Sequence, residues 1–73
     1  MKGGDNMYQI FAKFGKIDSL ELYKLVEPYR MNVTEMVTET FLHGVISIDS
    51  IDYINYISLK FGATSITIKK EPE

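Results

Sequence analysis

Few side chains in this 73-residue chain could carry out chemistry. His43 is the only histidine, and there is no cysteine. A nucleophile or a metal ligand at His43 would need a second histidine or a cysteine as a partner, and the sequence supplies neither. We therefore interpret His43, which precedes Gly44, as a turn residue. We expect no enzyme activity, no metal site and no cofactor.

Two charged residues near the first predicted helix could meet phosphate. Aspartyl phosphorylation at Asp18 would normally need a metal-binding acidic cluster, which this segment lacks. The position of Asp18 three residues before Glu21 is instead typical of a helix cap. We interpret Lys16 as a solvated loop lysine.

The residues with the most functional promise are aromatic. Tyr53 and Tyr56 flank Ile54 and Ile57, whose spacing predicts the buried face of a helix. Tyrosine provides a large contact area at low entropic cost and is enriched at protein interfaces. We predict that Tyr53, Asn55 and Tyr56 contact a partner protein. The alternative is that both tyrosines only border the core, with their hydroxyls in water.

The elements that would position these residues follow from periodicity. Alternating apolar residues in Tyr8–Phe14 predict a strand with one buried face. A helix begins after Asp18 and must end or bend near Pro28. Its apolar residues share one face: Leu22, Leu25, Val26 and Tyr29.

The last third of the chain predicts a strand, a capped helix and a strand. Val45–Ile48 forms the first strand, and Asp49 or Ser50 caps the helix. Gly62 ends the helix as a left-handed residue, and Ser65–Ile68 alternates as a final strand.

The segment Asn32–Phe41 is ambiguous. Its apolar residues have helical spacing, and Asn32 with Glu35 could cap such a helix. Half of its residues are valine or threonine, which favour a strand.

With this segment as a strand, the order is β-α-β-β-α-β. The last third of the chain combines a glycine, a short apolar strand and a capped helix start that ends in Ser-Leu, in the residues Gly44, Ile46, Ile48, Asp49, Ser50, Ile54, Ser58 and Leu59. On these residues the chain resembles the histidine-containing phosphocarrier protein HPr and its short relatives. The resemblance implies an α+β open-faced β-sandwich, with a four-stranded, mostly antiparallel sheet and two helices on one face. It also implies that partners bind the second helix and the N-terminal end of the first, which adds Ile17 and Asp18 to the predicted binding residues.

The chain departs from HPr where HPr does its chemistry. The loop that holds the phosphorylated histidine in that family corresponds to Gly15–Ser19, which has no histidine and no arginine. The family's regulatory serine corresponds to Asp52. We therefore predict a non-catalytic HPr-like protein, a regulatory or protein-interaction module without phosphoryl transfer.

Composition sets the remaining expectations. A net charge of −2 disfavours nucleic acid and anionic membranes as partners. No apolar run approaches the ~20 residues that span a bilayer, so we expect a cytoplasmic protein. We predict one domain at residues 7–68, a disordered leader at 1–6 and a charged flexible tail at 69–73, with Met7 as an alternative natural start.

A ribbon-helix-helix DNA-binding dimer is the rival hypothesis. It would use Tyr8–Phe14 as the DNA-reading strand and would require Asn32–His43 to be a helix. The conformation of Val33–Thr40 therefore decides between the two hypotheses.

Overall fold

The computed structural model describes residues 6–71, and within them the predicted order β-α-β-β-α-β is confirmed. Short 3₁₀ turns at Glu27–Tyr29 and Ile48–Ser50 follow the first helix and precede the second. The strands are β1 (Met7–Phe14), β2 (Asn32–Glu35), β3 (Thr40–Ser47) and β4 (Ser65–Lys70), and the helices are α1 (Ser19–Val26) and α2 (Ile51–Lys60).

The sheet has the strand order β2-β3-β1-β4, and every neighbouring pair is antiparallel. β1 and β2 are therefore parallel, with β3 between them and α1 as their connection. β3 and β4 are likewise parallel, with β1 between them and α2 as their connection. Two such interleaved units form the split β-α-β, or ferredoxin-like, topology. The predicted four-stranded antiparallel sheet is confirmed. The sequence made no prediction of the order of its strands.

The core lies between both helices and one face of the sheet, as predicted for an open-faced sandwich. Along β1, buried residues alternate with residues such as Phe11, which is 45% exposed on the opposite face. That second face, called here the open face, is covered by no described element. The buried apolar residues are Ile10, Ala12, Phe14, Leu22, Val26, Met31, Leu42, Ile46, Ile54 and Ile57.

Both ends of α1 match the sequence prediction. The backbone N–H of Glu21 donates to Oδ1 of Asp18 at 3.2 Å, which caps the first turn. Pro28 lies in the 3₁₀ turn that follows Val26, where its missing N–H and fixed ring stop the α-helix.

The start of α2 differs from the prediction, and its end agrees with it. Neither predicted cap operates, because Asp49 lies inside a 3₁₀ turn and Ser50 makes no side-chain hydrogen bond to the helix. At the other end, Gly62 has a φ of 84°. The N–H groups of Gly62 and Ala63 donate to the carbonyls of Leu59 and Ser58 at 3.0 and 2.9 Å, which is the Schellman arrangement.

The ambiguous segment is extended, but it is not one strand. β2 ends at Glu35, a turn follows in which Met36 N–H donates to the Glu39 carbonyl at 2.8 Å, and β3 begins at Thr40. The helix required by the ribbon-helix-helix hypothesis is absent from residues 32–43, so that hypothesis is wrong.

The turn predicted at His43 and Gly44 is also wrong, because both residues lie inside β3. A Cβ atom at Gly44 would lie 3.1 Å from Cα of the buried Met31. Gly44 therefore serves close packing inside a strand.

The last strand runs past Ile68, the predicted end of the domain. β1 begins at Met7, and β4 continues to Lys70. Lys69 and Lys70 pair with Gln9 and Tyr8, so the sheet includes the first two residues of the predicted tail. Residues 1–5 of the leader and 72–73 of the tail lie outside the described part of the chain.

Candidate interaction surfaces

Two exposed surfaces in the described part of the chain group several aromatic side chains, one on α2 and one on the open face. On α2, exposed side chains recur at three-residue intervals: Tyr53 is 38% exposed, Tyr56 58% and Leu59 60%. Residues three apart are neighbours on a helix surface. We call these three residues the helix stripe. At 3.6 residues per turn, Tyr53 lies about 100° around α2 from the fully buried Ile54, whereas Tyr56 and Leu59 lie about 160° and 140° from it. The stripe therefore runs from the edge of the core face at Tyr53 to the side of α2 that faces away from the core.

The two tyrosines have different surroundings. The ring of Tyr53 packs against that of Tyr29, with centroids 5.5 Å apart and planes tilted by 30°. Tyr53 therefore helps to join α2 to the end of the α1 segment. The ring of Tyr56 has the ammonium of Lys60 at 5.9 Å from its centroid, a contact at the surface of a single helix.

Asn55 does not join the tyrosines. At 3.6 residues per turn, it lies about 160° around α2 from Tyr53. The two residues therefore flank the buried face of α2 on opposite sides. Asn55 is half-buried.

Ile17 and Asp18 lie at the far end of the helix layer. α1 begins at the sheet end marked by Phe14 and Thr40, whereas α2 begins just after Ser47, at the opposite end. The N-terminus of α1 and the C-terminus of α2 thus lie at the same end of the sheet. The C-terminus of α2 is about 10 Å along the axis of α2 from Tyr53.

Both of these residues have structural roles. Ile17 is partly buried against the core, and Asp18 caps α1. The five predicted binding residues therefore do not form one contiguous patch, and the binding role of each stays a prediction.

The open face carries an aromatic cluster that sequence reasoning missed. Phe11 on β1 stacks on Phe41 of β3, with centroids 5.5 Å apart, and meets His43 of β3 edge-on at 6.3 Å. A hydrogen bond of 3.2 Å joins Nε2 of His43 to Oγ1 of Thr34. We call Phe11, Phe41 and His43 the aromatic cluster.

A signal for this cluster was present in the sequence. Phe11 occupies the polar phase of the β1 alternation, and Phe41, His43 and Val45 occupy a second alternating row. A turn at Gly44 would place Phe41 and Val45 in different elements, so the prediction of that turn hid their alternation along one strand.

The charges around the two surfaces differ. Asp49 and Asp52 are exposed near the start of α2. On the sheet side, Nζ of Lys13 lies 3.2 Å from Oε2 of Glu39, and Lys69 pairs with Gln9 across β4 and β1. Each side chain of the Lys13–Glu39 pair is 40% or more exposed, and exposed pairs of this kind contribute little to stability.

Comparison with protein-family models, with curated proteins and with solved structures finds no match for this chain. Within residues 6–71, no three histidine, aspartate or glutamate side chains are placed to share a metal ion. No helix in that range is both long and apolar enough to cross a membrane.

Proposed function

We propose that this chain is a small non-catalytic protein-interaction module of the cytoplasm, which docks on a partner protein through the helix stripe. The supporting observation is the exposure of Tyr53, Tyr56 and Leu59 on one side of a helix whose other side is fully engaged in the core. Three large side chains in water, spaced one turn apart, provide the aromatic and apolar area on which interface cores are built.

The charge beside the stripe indicates what kind of partner fits it. Asp52 precedes Tyr53 and lies one turn before Tyr56, and Asp49 is exposed just before α2. A partner with an apolar patch bordered by lysine or arginine would match both features. Within the proposal Tyr56 is the main contact, because Tyr53 is already held against Tyr29.

The proposal includes no phosphoryl transfer. The loop between β1 and α1 has no histidine, and its aspartate is engaged in capping α1. A relationship to HPr stays a prediction, and the proposed docking role does not depend on it.

The test compares two tyrosines that have the same chemistry but lie on different surfaces. A partner isolated from the source cells on the immobilised full chain would be purified and titrated against Tyr56→Ser and Tyr23→Ser. Tyr23 is 43% exposed on α1, outside the stripe. We expect Tyr56→Ser to weaken binding by about 2 kcal/mol or more, as for an interface hot spot, and Tyr23→Ser to bind like the native chain. Equal affinities for all three proteins would contradict the proposal.

A further inference from the structure

On the open face, polar side chains of the two outer strands lie on either side of the aromatic cluster. The strand register places Asn32, His43, Phe11 and Thr67 side by side in one row across all four strands. The neighbouring row is Thr34, Phe41, Lys13 and Ser65. Flat rings therefore occupy the two central strands, and amide and hydroxyl groups occupy the outer ones.

The cluster contributes little to the core. Phe11 is 45% exposed and Val45 is 41% exposed, and both point away from the helices. Beside the rings lies a shallow depression of about 290 Å³, whose side-chain lining includes Gln9, Phe11, His43 and Val45. A planar ligand can therefore reach both a ring face and groups that form hydrogen bonds.

The charge balance of the open-face strand positions differs from that of the helices. Within residues 6–71, Lys13 and Lys69 occupy open-face positions of the strands and no acidic residue does, but Glu71 directly follows β4 and its N–H donates to the Met7 carbonyl at 2.9 Å. Glu39, which pairs with Lys13, belongs to the turn before β3. The helices and the residues next to them carry five acidic residues (Asp18, Glu21, Glu27, Asp49 and Asp52) and three basic ones (Lys24, Arg30 and Lys60). A ligand meets the local field, so a net charge of −2 does not exclude an anionic ligand here.

We propose that the open face binds single-stranded nucleic acid. Two or three bases stack on Phe11, Phe41 and His43, while Lys13 and Lys69 meet the phosphates. Aromatic residues on a four-stranded sheet hold unpaired bases in this way, because every base has a flat π-face and an unpaired strand can splay its bases apart. The weak Lys13–Glu39 pair is easily exchanged for a phosphate contact. Asn32, Thr34 and Thr67 lie where base edges or sugar hydroxyls would meet them.

The test measures binding of the full chain to labelled oligonucleotides of about eight nucleotides by fluorescence anisotropy. Single-stranded RNA, single-stranded DNA and a duplex of the same sequence are compared at about 50 and 200 mM salt. We expect both single strands to bind, at least about 10-fold more tightly than the duplex, because paired bases cannot stack on the rings. The difference between RNA and DNA shows whether the 2′-hydroxyl is recognised.

Matched variants locate the site. Phe11→Leu keeps an apolar side chain but loses the ring, and should weaken single-strand binding about 5- to 150-fold. Phe11→Tyr keeps an aromatic ring at this position and should bind single strands like the native chain. Tyr23→Leu removes an equally exposed ring from α1 and should have no effect. Lys13→Gln should reduce the salt slope by about one. His43→Leu provides an independent test if Phe11→Leu has a lowered melting temperature.

Three outcomes would overturn the proposal. The first is that single strands do not bind at concentrations up to about 0.1 mM, where even non-specific complexes form. The second is equal binding of duplex and single strand that Phe11→Leu leaves unchanged, which is the behaviour of a purely electrostatic contact. The third is a concentration-dependent dimer that Phe11→Leu dissociates and oligonucleotides do not affect, which would make the open face a self-association surface.

Discussion

The helix stripe and the aromatic cluster both expose aromatic rings, but the rings are held in different ways. Tyr53 packs against Tyr29 at the edge of the helix layer, next to buried core residues. Phe11 packs against Phe41 and His43 on a face that the core does not reach. An aromatic contact on the helix side therefore contributes to the fold. The same kind of contact on the sheet side links the neighbouring strands β1 and β3 without covering the core.

Because of this difference, we expect substitutions in the two regions to change the free energy of unfolding by different amounts. A substitution beneath the helix stripe, or at Tyr53 within it, acts on the packing between α2, α1 and the sheet. A substitution in the aromatic cluster removes contacts among side chains that already meet water. The free energies of unfolding of matched variants test this expectation.

The largest effect is expected beneath the helix stripe. Ile54 is fully buried between α2 and the sheet, so Ile54→Ala should destabilise the domain by roughly 2–5 kcal/mol in urea denaturation. Leu59→Ala on the same helix is the control, because Leu59 is 60% exposed and should cost about 0.5 kcal/mol or less. A loss below about 1 kcal/mol for Ile54→Ala would show that α2 does not cover the core in solution.

A smaller effect is expected on β3, whose two faces can be compared directly. Gly44→Ala would place a Cβ atom 3.1 Å from Cα of Met31 on the core side, which should cost about 1–3 kcal/mol as overpacking. Val45→Ala acts on the open face, where the side chain is 41% exposed, and should cost less than about 1 kcal/mol. If Gly44→Ala were neutral by thermal unfolding, the close approach of Met31 would not be a constraint on this strand.

The sequence could predict the core-facing rows because each depends only on local spacing. Leu22 and Val26 on α1, and Ile54 and Ile57 on α2, all fall in the predicted stripes and are buried. The left-handed Gly62 follows from the same kind of local rule.

The turn between β2 and β3 could not be predicted, because Met36–Glu39 contains no glycine, proline, asparagine or aspartate. Within residues 6–71, a positive φ occurs outside glycine only at Arg30, so this turn also lacks the usual two-residue hairpin geometry. Its residues favour a strand and gave no sign of a reversal.

Gly44 and the aromatic cluster needed information from distant parts of the chain. Glycine at position 44 makes room for Met31, thirteen residues earlier, and sequence spacing does not reveal that contact. The rings of Phe11 and His43 meet only because β1 pairs with β3 in one particular register.

The smallest predicted effect distinguishes the two tyrosines of the helix stripe. Sequence reasoning predicts that replacing both by serine leaves the melting temperature nearly unchanged, but the contact between Tyr53 and Tyr29 argues otherwise. Tyr53→Ser should cost about 0.5–1.5 kcal/mol more than Tyr56→Ser, the range for an aromatic pair. Both changes place serine on the exposed side of the same helix, so the helix-propensity cost largely cancels in the difference. A double-mutant cycle with Tyr29→Ala should return the same coupling energy for Tyr53 and none for Tyr56. If both serine variants unfold at the same urea concentration, the contact between Tyr53 and Tyr29 does not stabilise the domain. A partner could then bind all three residues of the stripe without disrupting a stabilising contact.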